Sequence, residues 1–129
     1  MTLISIYIGG VLTLIMAVVH TRFYKFFRWK AEFRNVSEVN QKIFFTIHLA
    51  LLLLFFVLGT ITLVYAEFLS ECREIAIGFN LGLALFWFWR ALWQVFYFKS
   101  RKMIHFLFMG HFFITGAAYL IPILIKLFY

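Results

Sequence analysis

Four apolar runs, each about 20 residues long, occupy most of a 129-residue chain and decide what it can become. They cover about 2–21, 43–66, 75–98 and 103–125. As α-helices rising 1.5 Å per residue, each is long enough to cross about 30 Å of hydrocarbon. Ile4, Ile6 and Ile8 alternate as in a strand, but the length and continuity of the apolar run favour a helix. The sequence therefore predicts an all-α, integral membrane four-helix bundle, formed as a single transmembrane domain over 1–129.

Composition agrees. Hydrophobic residues make up 65% and charged residues 13%, against about half and about a quarter in ordinary soluble domains. The 19 Phe suit lipid-facing surface and ring packing between helices. One proline, Pro122, and seven glycines leave no room for a disordered linker. Cys72 is the only cysteine, which excludes an intramolecular disulfide and CxxC redox chemistry, and it is expected as a small residue near a helix start. The first run lacks a basic leader and a small-x-small cleavage site, so it is expected to stay in the mature protein.

Charge sets the expected orientation. The connection 22–42 holds Arg22, Lys25, Arg28, Lys30, Arg34 and Lys42 against Glu32 and Glu38, and the connection 99–102 holds Lys99, Arg101 and Lys102 with no acid. The connection between the second and third runs is mainly acidic, with Glu67, Glu71 and Glu74 against Arg73. The positive-inside rule then makes 22–42 and 99–102 cytoplasmic and both termini non-cytoplasmic, in an up-down-up-down bundle with sequential helices packed together. A bacterial-type inner or plasma membrane is the expected location. Ser37, Ser70 and Ser100 stand where N-caps are expected, and Glu71 and Glu74 where negative charge suits the start of the third helix.

In 22–42, Phe23, Tyr24, Phe26, Phe27, Trp29 and Phe33 interleave with basic residues. In a soluble chain this pattern would raise nucleic acid. Directly beside a span it predicts an interfacial segment, with Arg22, Lys25, Arg28, Trp29, Lys30 and Arg34 at lipid headgroups. The net charge of +7 is explained the same way, and no nucleic-acid partner is expected.

Polar residues inside the spans are costly and mark functional candidates. His20 and His105 fall roughly 3 Å from the cytoplasmic end and Gln94 about 5 Å, with His48, Arg90 and His111 on the order of 8–12 Å deep. Helical periodicity places His20 on a stripe with Gly9, Thr13, Met16 and Ala17, and His48 with Phe55, Gly59 and Thr62. It places Arg90 with Trp87, Gln94 and Tyr97, and His111 with Thr115, Ala118 and Pro122. Such small or polar stripes usually face other helices. His105 lies about 120° from His111 and is not expected to share its site. Gly78 and Gly82 form a GxxxG pattern expected to pack within the bundle, and Asn80 is expected to hydrogen-bond between helices.

Several functions follow from this inward cluster. The base expectation is a non-catalytic accessory or scaffold subunit, or a homo-oligomer, in which His20, His48, Arg90, Gln94 and His111 hold helices together or meet a larger membrane complex. A b-type haem is an alternative, with His48 and His111 as axial iron ligands, His20 as a weaker partner, Arg90 at a propionate, and Trp87 and Trp93 along the ring. A further alternative is a quinone or an anionic lipid gripped by Arg90 and Gln94. No carboxylate stands in the spans and no HExxH or paired ExxH motif is present, which disfavours catalytic zinc, di-iron chemistry and proton-relay transport.

Overall fold

A computed structural model describes residues 1–98 and 102–128. Its elements are α1 (Thr2–Phe26), α2 (Trp29–Glu32), a 3-10 turn (Phe33–Asn35), α3 (Glu38–Val64), α4 (Ala66–Ser70), α5 (Glu74–Phe96) and α6 (Met103–Phe128). The structure is all-helical, with no strand among the described residues. Helices α1, α3, α5 and α6 are each long and apolar enough to cross a membrane, so this is the architecture of an integral membrane protein. Within hydrocarbon a helix satisfies its own backbone N–H and C=O groups, which explains why the apolar runs take this form.

The spans outgrow their apolar cores. Helix α1 continues through the first basic residues to Phe26, and α3 begins at Glu38 rather than at the first apolar residue. The turn between them passes through Arg28, whose φ of 53° is left-handed, a conformation costly for a side chain with a Cβ. Ser37 caps α3 by accepting from the Asn40 N–H at 3.4 Å. Ser70 does not cap α5: it ends α4 and donates to the Glu67 carbonyl, and Arg73 occupies the cap. Glu74 is in the first turn of α5, but Glu71 lies before it and pairs with Arg73. Lys99, Ser100 and Arg101, assigned above to the third connection and its cap, lie outside the described residues.

Sequential spans pack together at two of the three steps, and the first span also packs on the last. Helix α3 lies on α1, α1 on α6, and α6 on α5. Helices α3 and α5 meet through rings, Phe55 stacking on Trp87 at 5.2 Å and touching Phe86 at 6.0 Å. Only Phe55, Gly59 and Thr62 are buried along α3, and most of its remaining residues are exposed.

The centre of the bundle is the Tyr119 hydroxyl. It lies 3.1 Å from Thr13 Oγ1 on α1 and 3.1 Å from Thr62 Oγ1 on α3, and all three residues are buried. Each threonine also bonds a carbonyl one turn earlier, Thr13 to Gly9 and Thr62 to Leu58, both at 2.8 Å. Three hydroxyl protons serve these four contacts, so one contact lacks a proton at any instant. Close approach of the helices depends on glycine. A Cβ on Gly10 would meet Leu63 Cδ2 at 2.7 Å, and one on Gly59 would meet Leu14 Cγ at 2.7 Å and the Leu14 backbone N at 3.1 Å.

Gly78 and Gly82 behave differently from the expectation. Both are exposed, and a Cβ on either would meet nothing within 4 Å. Their face continues into exposed Leu85 and Trp89, and Trp89, Trp93 and Tyr97 then stack as a ladder toward the end of α5. Among the described residues, the GxxxG pattern thus serves no close helix contact.

Gly59→Ala should lower stability by about 1–3 kcal/mol through overpacking, whereas Gly82→Ala should leave the isolated chain unchanged. Tyr119→Phe should cost about 1 kcal/mol, because both threonines keep their carbonyl partners. Reversible unfolding in mixed micelles measures all three. Equal losses for Gly59→Ala and Gly82→Ala would contradict the packing described.

Candidate functional site

The basic end of the bundle, where α1 runs into Arg22 and Lys25, carries the polar side chains. His20 is buried on α1 and donates Nδ1–H to the Met16 carbonyl at 2.9 Å. His48 on α3 donates Nε2–H to the His20 carbonyl at 3.1 Å. Because a carbonyl only accepts, these bonds place a proton on His20 Nδ1 and on His48 Nε2. The two imidazoles are nearly parallel, with centroids 5.6 Å apart. Phe23 touches both, at 4.4 and 6.2 Å.

Trp29 closes this end. From α2 its ring folds back onto α1 and α3, edge-on to His48 at 4.7 Å and to Phe44 at 4.8 Å, with Phe23, Phe27, Phe33 and Phe45 around it. Within 22–42, Trp29 is therefore half-buried against its own chain, while Arg22, Lys25, Arg28, Lys30 and Arg34 stay exposed. The left-handed turn at Arg28 is what reverses the chain and lets the indole return.

A second polar group lies on α5 and α6. Arg90 donates from Nη1 to Gln94 Oε1 at 3.0 Å, and Gln94 passes its amide to His105 Nδ1 at 3.1 Å. Gln94 and His105 are buried. The guanidinium carbon lies over Phe112 at 4.8 Å and over Phe98 at 5.2 Å, the geometry of a cation held on ring faces. Rings connect the two groups: Phe55 touches His20 at 5.1 Å and stacks on Trp87 at 5.2 Å, and Trp87 stacks at 5.7 Å on Phe112 beneath Arg90. No carboxylate pairs with Arg90: among the described residues the ion pairs are Lys42 with Glu38 and Arg73 with Glu71. Tyr97, grouped with Arg90 by periodicity, is exposed beyond the end of α5.

His111 stands apart from His48. Its ring meets Trp87 at 5.9 Å and Phe112 at 5.9 Å. Among the described residues no ring contact joins it to His48; Phe55 of α3 stacks on Trp87 of α5, and His20 and His48 stack on each other instead of flanking a plane. The b-type haem expectation finds no support in this geometry. Among the described residues, no group of three or more His, Cys, Asp or Glu could hold a metal ion.

Sequence reasoning missed His105 as the partner of Gln94, along with Phe98 and Phe112 beneath Arg90. The spacing of Phe112, next to His111, one turn from Phe108 and two from His105, held a signal for part of this. At the opposite end, Cys72 has a left-handed φ of 50°, and burial pushes its thiol above the ordinary range, which keeps it protonated. Asn80 donates to the Leu69 carbonyl at 2.9 Å, and Lys126 donates to the Cys72 carbonyl.

Comparison with protein-family models, curated proteins and solved structures finds no match to this chain.

Trp29→Ala removes several ring pairs, each worth about 0.5–1.5 kcal/mol, and should raise amide exchange across 22–48 at least about tenfold. Hydrogen–deuterium exchange in nanodiscs reads this directly, and unchanged protection would show that the indole does not hold the segment.

Proposed function

We propose that this four-span membrane protein is non-catalytic and binds an anionic amphiphile, a lipid or an acidic quinone-like molecule, through Arg90. One observation carries the reading: an arginine within an apolar span, always charged, is held on two ring faces without any carboxylate partner. An unpaired cation in hydrocarbon is expensive, and an anion brought to it offsets that cost. A guanidinium has five N–H donors, and Gln94 engages Nη1 alone. Gln94 and His105 behind it fix its direction. The hydrocarbon tail of the ligand would lie where α3 and α5 meet through rings rather than backbone.

The charge pattern supports an up-down-up-down orientation with both termini non-cytoplasmic and the basic end at the cytoplasmic face of a bacterial-type inner or plasma membrane. In that orientation Arg90 lies about 9 Å inside the bilayer, within reach of a headgroup drawn slightly inward. Exposed Arg22, Lys25, Arg28, Lys30 and Arg34 then attract anionic lipid to the same surface. Nucleic acid has no part in this reading.

The test is lipid extraction and mass spectrometry of protein purified in mild detergent. Wild type should retain a near-stoichiometric anionic amphiphile. Arg90→Ala should bind it about ten- to a hundredfold more weakly, the loss of one charge-assisted contact. Arg90→Lys should recover part of the affinity, since it restores charge without the planar fork. A wild type free of anionic amphiphile, or an Arg90→Ala variant that keeps it, would overturn the proposal.

A second reading, an accessory subunit or homo-oligomer, is favoured by Gly78 and Gly82, whose face is open to the bilayer. Gly82→Leu should then abolish a copurifying partner or a cross-linked dimer while leaving monomer stability intact. Retention of the partner or dimer in this variant would count against that face.

A further inference from the structure

We infer that Trp87 and His111 form a binding site for a hydroxyl group in the core of the bundle. Trp87 is fully buried, and its indole Nε1–H has no hydrogen-bond partner. His111 Nε2 is buried and unpartnered as well. These two atoms belong to rings in edge-to-face contact, with centroids 5.9 Å apart and planes at 74°. Phe112 lies against both, at 5.7 Å from Trp87 and 5.9 Å from His111.

The chemistry of the two atoms is complementary. An indole N–H only donates. In this site His111 is neutral with its proton on Nδ1, and its Nε2 meets no protein group. That tautomer leaves a lone pair on Nε2, which accepts. The group that completes the pair must take a hydrogen bond from Trp87 and give one to His111. A hydroxyl does both. A carbonyl or carboxylate leaves Nε2 without a donor, and an ammonium leaves the indole without an acceptor.

The surrounding core shows the contrast. Thr13, Thr62, Thr115, Tyr119, Gln94 and His20 are buried polar side chains with partners. Among the described residues the other unpartnered buried atom is Asn80 Oδ1, far along α5 at the acidic end and without a second such atom beside it. The pairing of a donor with an acceptor on touching rings from two helices is therefore particular to this place. The hydroxyl is supplied either by a bound water molecule or by a hydroxyl-bearing amphiphile, and the chemistry is the same for both. This site is separate from the anion site at Arg90, with the Phe112 ring between them, so either can fail without the other.

The experiment is proton–nitrogen correlation spectroscopy of wild-type protein labelled at tryptophan and histidine, in nanodiscs with deuterated lipid chains. The Trp87–Phe88 step occurs once in the sequence, so the Trp87 resonance is assigned without a variant. The expected result is a hydrogen-bonded Trp87 indole proton with a cross-peak to a hydroxyl proton, and His111 protonated on Nδ1 alone. A cross-peak at the water frequency assigns water. One at another frequency, with a hydroxyl-bearing lipid found by mass spectrometry, assigns the amphiphile. His111→Leu should then shift the Trp87 indole resonance upfield. A non-bonded indole proton in wild type without any hydroxyl cross-peak, or His111 protonated on Nε2, overturns the inference.

Discussion

The Tyr119 hydroxyl joins three of the four spans at one point, and the register of those three helices rests on it. In lipid the hydrophobic effect does not press helices together, since a neighbouring side chain is no more apolar than an acyl tail. Close packing and hydrogen bonds must supply the specificity. Thr13, Thr62 and Tyr119 provide the bonds, and Gly9, Gly10 and Gly59 the approach. The same three helices carry His20, His48 and His111. Their relative depths are set by a register that the hydroxyl contact fixes.

Much of this architecture was legible in the sequence because hydrocarbon thickness imposes a length and helical period imposes a face. The four spans emerge where apolar runs predict them, and Thr13, Met16, Ala17, Thr62, Thr115, Ala118 and Pro122 on the small-polar stripes are buried. Rotation about a helix axis is harder to infer where lipid and core are both apolar. Gly78 and Gly82 show this: the same spacing that suggests close packing opens onto the bilayer. Trp29 shows a second limit, since its return to His48 depends on a left-handed residue at Arg28 that carries no glycine or asparagine signal. The bond of His105 to Gln94 on the neighbouring helix required a helix order that periodicity does not supply.

Electrostatic imbalance is the other constraint. All five acids lie outside the apolar runs, so no charge within the spans answers Arg90. The chain instead surrounds the guanidinium with ring faces and a single amide. Ring quadrupoles attract a cation without neutralising it. The site consequently keeps its net positive charge, whereas the imidazoles of His20 and His48 are each held by a backbone carbonyl.

Placing Tyr119 on α6 also orders events in time. The ribosome delivers α1 and α3 first, and these pack through Gly10 and Gly59 before the later spans exist. Until α6 enters the bilayer, Thr13 and Thr62 satisfy their hydroxyls only on their own carbonyls, and nothing polar crosses between the helices at that level. Closure of the bundle is thereby tied to arrival of the last span. A nascent chain stalled after α5 would remain a loosely joined set of helices, distinguishable by cellular quality control from a finished molecule.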